Sequence, residues 1–165
     1  MAVRSEELGD SGTLMYPSRI KLPYTWHAGK VGSRFYREIR DNCKIWGTRC
    51  DQCERVYIPP RETCPRCFCD ISEWAEVGDV GTLLTYTVVK YAVPGIQPQK
   101  PPYAMGIIQL DGASTGFMHL LGEIDLESIG IGMRVKAVFR DEREGNYLDI
   151  KYFKPLGHEA VIAQQ

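Results

Sequence analysis

A chain of 165 residues that is 44% hydrophobic and 25% charged has the length and composition of an ordinary globular protein, with one core and room for a small added module. Its formal net charge of -1 argues against a general polyanion binder, which carries a basic excess. No apolar run reaches the length of a membrane-spanning helix, so no membrane partner is expected.

In chain order, Met1 to Asp10 is polar and acidic and lacks the apolar stretch of a secretory signal. The cysteines are therefore expected to stay reduced, in a cytoplasmic protein. Residues 1–32 read as an N-terminal tail with little periodicity. From Ser33, a candidate N-cap, Phe35, Ile39 and Cys43 recur every four residues, while Arg34, Glu38, Arg40 and Asp41 fall elsewhere. This predicts a short amphipathic helix, with Lys44 to Arg49 as a lead-in strand, over 33–46 and the start of the next unit. So short a helix is not stable alone in water, and its apolar side must rest on its own domain or on another subunit.

The next unit, 47–77, carries the most informative pattern in the chain, Cys50-x2-Cys53-x10-Cys64-x2-Cys67. A two-residue gap lets the chain turn so that both thiolates of a pair reach one ion, and the intervening hairpin brings the second pair across. Val56, Tyr57 and Ile58 favour extended chain and Pro59-Pro60 ends it, which predicts a rubredoxin-like zinc ribbon holding structural Zn2+. Arg49, Arg55, Arg61 and Arg66 lie close by to offset the thiolate charge. Spacing alone leaves iron open, and a redox dithiol is the further alternative; Cys43 and Cys69 read as ordinary thiols, although Cys69 is close enough in sequence to exchange with a ligand.

Residues 78–157 read as strands and turns: Gly81–Val89, Tyr103–Leu110, the Asp111-Gly112 turn, Thr115–Leu121, a single helical turn at Asp125–Ile129, then Arg134–Arg140 and Tyr147–Phe153. Five strands with a short helical turn between the third and fourth is the order of an OB-fold barrel. The fold class is thus mainly β: an N-terminal helix, a zinc ribbon and a five-stranded OB-fold, ending in a tail at 158–165. The connection from Lys90 to Pro102 holds Pro94, Pro98, Pro101 and Pro102 and is expected to be a stiff wall beside the barrel. His27, His119 and His158 are scattered and form no Ser-His-Asp or Cys-His pair, so no catalytic residue is expected.

The Phe35-Tyr36 helix, the cysteine pairs, Pro59-Pro60-Arg61, Leu84 to Val89, Pro102-Tyr103-Ala104 and Ile131 to Val135 together resemble a family of bacterial and archaeal proteins that accompany thiolase-fold enzymes acting on acyl-CoA. The likeness covers about 33 to 155. It departs from the usual ribbon in carrying Glu54 and Phe68 where glycine commonly follows each pair. The longer tail and Trp26-His27-Ala28-Gly29 resemble the branch serving thiolases that cleave 2-benzoylsuccinyl-CoA in anaerobic aromatic degradation.

The resemblance implies a non-catalytic, zinc-binding accessory subunit of a thiolase complex. A thiolase-fold catalytic subunit would be its partner in a hetero-oligomer, and CoA or acyl-CoA would be shared between them. Arg34, Arg37, Lys90, Lys100 and Tyr91 are the candidate CoA-binding residues, four cations for phosphates and one ring for adenine or acyl group. The alternative is a single-stranded nucleic-acid binder, for which Tyr103 and Phe117 are the main stacking candidates and the absent basic stripe is the weakness.

Overall fold

The computed structural model describes residues 24–93 and 97–156, and the backbone of two short strands before them. Those strands, β1 (Glu6–Glu7) and β2 (Leu14–Met15), pair antiparallel within the segment read as tail. Residues 158–165, His158 and Pro94 lie outside the described residues.

The helix α1 spans Gly29–Asn42, so it starts four residues before Ser33. Ser33 does not cap it. The entry is made instead by Ala28 with no side-chain cap, while the Gly29 N–H donates to His27 Nδ1 at 2.9 Å. At the far end Cys43 turns left-handed, φ 52°, and the Lys44 N–H closes on the Glu38 carbonyl at 3.2 Å.

Two sheets follow. The first has the order β4-β3-β5, from β3 (Ile45–Arg49), β4 (Val56–Tyr57) and β5 (Glu73–Val77), both neighbours antiparallel to β3. Gly47 lets β3 approach β4 closely, since a Cβ there would meet the Tyr57 carbonyl oxygen at 2.8 Å. The second is a closed barrel of order β10-β8-β7-β6-β9. Its strands are β6 (Val80–Val89), β7 (Tyr103–Leu110), β8 (Gly116–Leu121), β9 (Arg134–Phe139) and β10 (Ile150–Pro155). The closure is made by β10 pairing parallel to β8 at Phe153↔Leu121, so the predicted five-stranded OB-fold is the observed one.

The fifth strand starts later than the sequence implies. Tyr147–Asp149 forms a 3-10 turn, because Asn146 accepts from the Leu148 N–H at 2.8 Å and the buried Asp149 carboxylate collects the N–H groups of Glu144, Gly145 and Asn146. Local side-chain bonds have outcompeted the ladder there. Between β8 and β9, Asp125 organises a turn through the Glu127 N–H and the Ser128 N–H.

One core runs through helix, ribbon sheet and barrel. Phe35 and Ile39 of α1, Ile45 of β3, Ile58 and Val77 share it with Leu83, Ile108, Phe117, Val135 and Phe153 of the barrel. Phe35 meets Phe117 edge-on, ring centroids 6.5 Å apart. The helix therefore rests its apolar face on its own chain. Polar bonds fix the same junction: the Ile58 N–H donates to Thr115 Oγ1 at 2.8 Å, that hydroxyl donates back to the Ile58 carbonyl at 2.9 Å, and the Ser114 N–H donates to the Val56 carbonyl. The β7–β8 loop thus holds the outer edge of the ribbon sheet.

Candidate metal centre

The four sulfurs of Cys50, Cys53, Cys64 and Cys67 lie within 4.8 Å of one another, on two loops with the same backbone. In the first, the Glu54 N–H donates to the Cys50 carbonyl at 2.8 Å and the Cys50 N–H to the Arg55 carbonyl at 3.0 Å. In the second, the Phe68 N–H donates to the Cys64 carbonyl at 2.9 Å and the Cys64 N–H to the Cys69 carbonyl at 2.8 Å. Glu54 and Phe68 occupy equivalent places and both take φ 57°, the left-handed conformation that glycine adopts without strain. The ribbon knuckles form without glycine.

Cys50 and Cys64 are fully buried and Cys53 and Cys67 half-buried, in a small cluster closed by Tyr57 and Ile71. The donor set and its spacing fit a tetrahedral ion: Zn–S bonds of about 2.3 Å place sulfurs roughly 3.8 Å apart, and Cys53 and Cys64 stand at 3.8 Å. Zn2+ held there by the four thiolates would cross-link the two loops.

Hydrogen bonding prepares two of these thiols, Cys64 and Cys53, for ionisation. Burial raises the Cys64 thiol, but donation from the Tyr57 phenol at 3.3 Å and from the backbone N–H groups of Cys67 and Arg66 outweighs it, lowering the thiol to about 6. The Arg55 N–H likewise lowers Cys53. Burial, reinforced by the neighbouring sulfurs, pushes Cys67 up to about 12. Crowded thiols cannot all ionise without a cation, and a divalent ion removes that conflict. Of the arginines credited with local charge, Arg55 and Arg66 act on sulfur through their main chain, and Arg49 pairs with Glu54 at 4.0 Å.

Cys69 is drawn in more closely than its sequence position conveys: its sulfur is 3.6 Å from that of Cys50. Burial and then the Cys50 thiol push Cys69 up to about 11, which favours its neutral form. Tyr57, which no cysteine pattern points to, is the residue sequence reading missed; only its place midway between the pairs signals it.

The five CoA candidates fall on two elements. Arg34 and Arg37 are on α1, where the Arg34 guanidinium stacks 4.3 Å over the Trp74 ring and 5.5 Å from that of Trp46, and Arg37 Nε donates to the Ser33 carbonyl at 3.2 Å. Lys90, Tyr91 and Lys100 are exposed on the β6–β7 connection, which Gln97 braces through the Val93 N–H and the Tyr91 carbonyl. No hydrogen bond or ion pair joins the two groups among the described residues. His119 is 1% exposed inside the barrel, stacked on Tyr147 at 4.8 Å, with Nδ1 accepting from the Leu120 N–H and Nε2 facing the Tyr147 carbonyl. Both ring nitrogens are occupied by backbone, as in a core histidine.

A closed four-sulfur ribbon joined through one core to a five-stranded barrel defines the class: a zinc-ribbon and OB-fold protein. Residues 37–70 match the rubredoxin-like zinc ribbon domain of ChsH2, and residues 74–140 match the C-terminal OB-fold domain of ChsH2. A DUF35 domain-containing scaffold protein of Methanocaldococcus jannaschii is 35% identical over 135 residues, spanning 77% of this chain and 92% of that protein. Another, from Pyrococcus furiosus, is 29% identical over 112 residues, 68% of this chain and 80% of the relative. The chain belongs to the DUF35 family.

Solved structures agree on the fold. The Ltp2-ChsH2(DUF35) aldolase has a chain that superposes with a TM-score of 0.55 at 23% identity, covering 74% of this chain and 93% of that one. A DUF35 protein of unknown function from Sulfolobus solfataricus gives 0.55 at 23% identity, covering 67% and 78%.

Proposed function

We propose that this chain is the accessory, scaffolding subunit of an acyl-CoA enzyme of the thiolase type, with CoA or acyl-CoA bound between it and a thiolase-fold catalytic subunit. The observation that carries the reading is the 35% identity to a curated DUF35 scaffold protein over 92% of that relative's length. The fold match to the DUF35 chain of an aldolase supports the pairing with an enzyme, and the single core through ribbon and barrel supports a rigid body that holds a partner in place.

In this reading, thiolytic cleavage of a 3-oxoacyl-CoA, 2-benzoylsuccinyl-CoA in the most specific form, takes place on the partner's own nucleophile. This chain contributes no group to bond breaking. Lys90, Lys100 and Tyr91 on the exposed connection, with Arg34 and Arg37 on α1, would meet the CoA phosphates and adenine at the shared boundary. A cleft of about 300 Å³ at the start of α1, lined by Trp26, Lys30, Phe35, Tyr36, Pro59 and Pro60, offers apolar wall on the helix side.

Co-expression with a thiolase-fold subunit, followed by mass measurement of the complex and assay of CoA-dependent cleavage, tests this. A stable hetero-oligomer whose activity requires this chain is expected. Purified chain that brings down no such partner, and leaves thiolytic activity unchanged when added, overturns the reading. The nucleic-acid alternative is weakened by burial: Tyr103 and Phe117 are 5% and 1% exposed, inside the core instead of on a stacking surface.

A further inference from the structure

Strand β6 is longer than its second neighbour. β9 pairs with it only at Val80, Gly81 and Thr82, and backbone bonds to Gly132 and Met133 extend the contact as far as Leu83. A register shift follows between Leu83 and Thr85, after which Thr85 to Val89 pair, among the described residues, with β7 alone. In an antiparallel strand alternate residues aim N–H and C=O away from any one neighbour. Along Thr85 to Val89 those groups have no backbone partner among the described residues.

Beyond the register shift at its start, the segment itself carries none of the charges or prolines that commonly protect such an edge. From Leu84 to Val89 there is no charge and no proline, only Leu, Thr, Tyr and Val, and the first charge is Lys90. Leu84, Thr85, Tyr86 and Thr87 are exposed. Beside the edge, Thr85, Thr87, Met105, Ile107 and Met118 line a shallow uncharged groove on the outer barrel face, with Met118 58% exposed.

We propose that this edge pairs with the same edge of a second copy of the chain, as an antiparallel ladder about a two-fold axis at Thr87. The occupant follows from the segment's own sequence. Two-fold pairing sets Thr85 opposite Val89, Tyr86 opposite Val88 and Thr87 opposite itself, so these pairs are uncharged, and the aromatic–β-branched and Thr–Thr pairs are of favourable type. The two Lys90 side chains are carried to opposite ends, each beside the other copy's Leu84. The edge is thus its own complement, as an isologous interface requires. The proposal is independent of the acyl-CoA reading.

Sedimentation of the zinc-loaded full chain from about 1 to 100 µM tests it. A dimer is expected for the unaltered protein. Thr87→Lys places like charges face to face at the axis, and its dimer should dissociate at least about tenfold more readily. Thr87→Glu should do the same, and an equimolar mixture of the two variants should restore the dimer. Thr87 is exposed, so zinc content and far-ultraviolet circular dichroism should not change. A readout needing no substitution is amide exchange at Thr85 to Val89, which should slow as concentration rises. A monomer at 100 µM, a Thr87→Lys dimer as tight as the unaltered one, or exchange independent of concentration overturns the proposal.

Discussion

The Tyr57 phenol lies 3.3 Å from Cys64 Sγ and 3.8 Å from Cys53 Sγ, a single hydroxyl spanning the two cysteine pairs. Its hydrogen bond to Cys64, with burial, pushes its own ionisation upward, so it remains a donor throughout the neutral range. Tyr57→Phe removes that donor and leaves the ring. Outer partners of metal ligands are worth about 10- to 100-fold in affinity, and we expect zinc to be lost to a chelator at correspondingly lower chelator concentration. Competition with a colorimetric chelator measures it; unchanged affinity would remove Tyr57 from the centre.

Cys50→Ser and Cys64→Ser should each abolish stoichiometric zinc and melt the ribbon, because metal binding supplies much of the folding energy of so small a module. Cys69→Ser should keep one zinc per chain despite the 3.6 Å contact with Cys50. Elemental analysis and thermal melts separate these outcomes.

The Arg34 guanidinium lies over the rings of both Trp74 and Trp46. Arg34→Ala should lower stability by about 0.5–1 kcal/mol and alter the tryptophan emission. A CoA contact adds a second effect, weaker binding in the partner complex, which Arg34→Lys would show even where it keeps part of the stacking energy.

The His119 ionisation is depressed by burial, against which its backbone contacts at Tyr147 and Leu120 act only partly. Well above pH 6.5 the ring is neutral in folded and unfolded chain alike. As pH falls through about 6.5 the unfolded chain takes up a proton that the folded one refuses, so stability declines, by at most about 1.4 kcal/mol per pH unit from this group. His119→Phe should flatten the slope of unfolding free energy between pH 6.5 and the depressed value. Urea titrations at stepped pH would show it, and an unchanged slope would contradict the assignment.

Phe68 holds φ 57° while 83% exposed, so it carries backbone strain without burial in return. Phe68→Gly should therefore stabilise the ribbon, by about 0.5–1 kcal/mol after the entropy of glycine is counted. Phe68→Ala, which keeps a Cβ, should not.

The ribbon was legible because metal ligation imposes spacing on the chain itself: Cys50, Cys53, Cys64 and Cys67 need only their intervals to be recognised, and they meet within 4.8 Å. The barrel was legible from alternation and turns, with strand ends within a few residues. Where the reading slipped, hydrogen bonds made by nearby side chains had decided the outcome against simple propensity. Ser33 has capping chemistry, yet the helix begins four residues earlier, where the chain enters through Ala28 and the Gly29 N–H donates to His27 Nδ1. Tyr147 has strand propensity, yet Asp149 gathers three backbone donors and turns the chain first.

Composition, alternation and cysteine intervals thus determined the class of module, its four-sulfur donor set and the succession of its strands, since each depends on neighbours close in sequence. Only the folded chain decided that α1 seats on the barrel, that Cys69 sits against Cys50, that Tyr57 serves both pairs and that, among the described residues, Thr85 to Val89 pair with one strand. Each depends on how separate stretches of the chain come together in space, and no periodicity encodes which surface a side chain will meet.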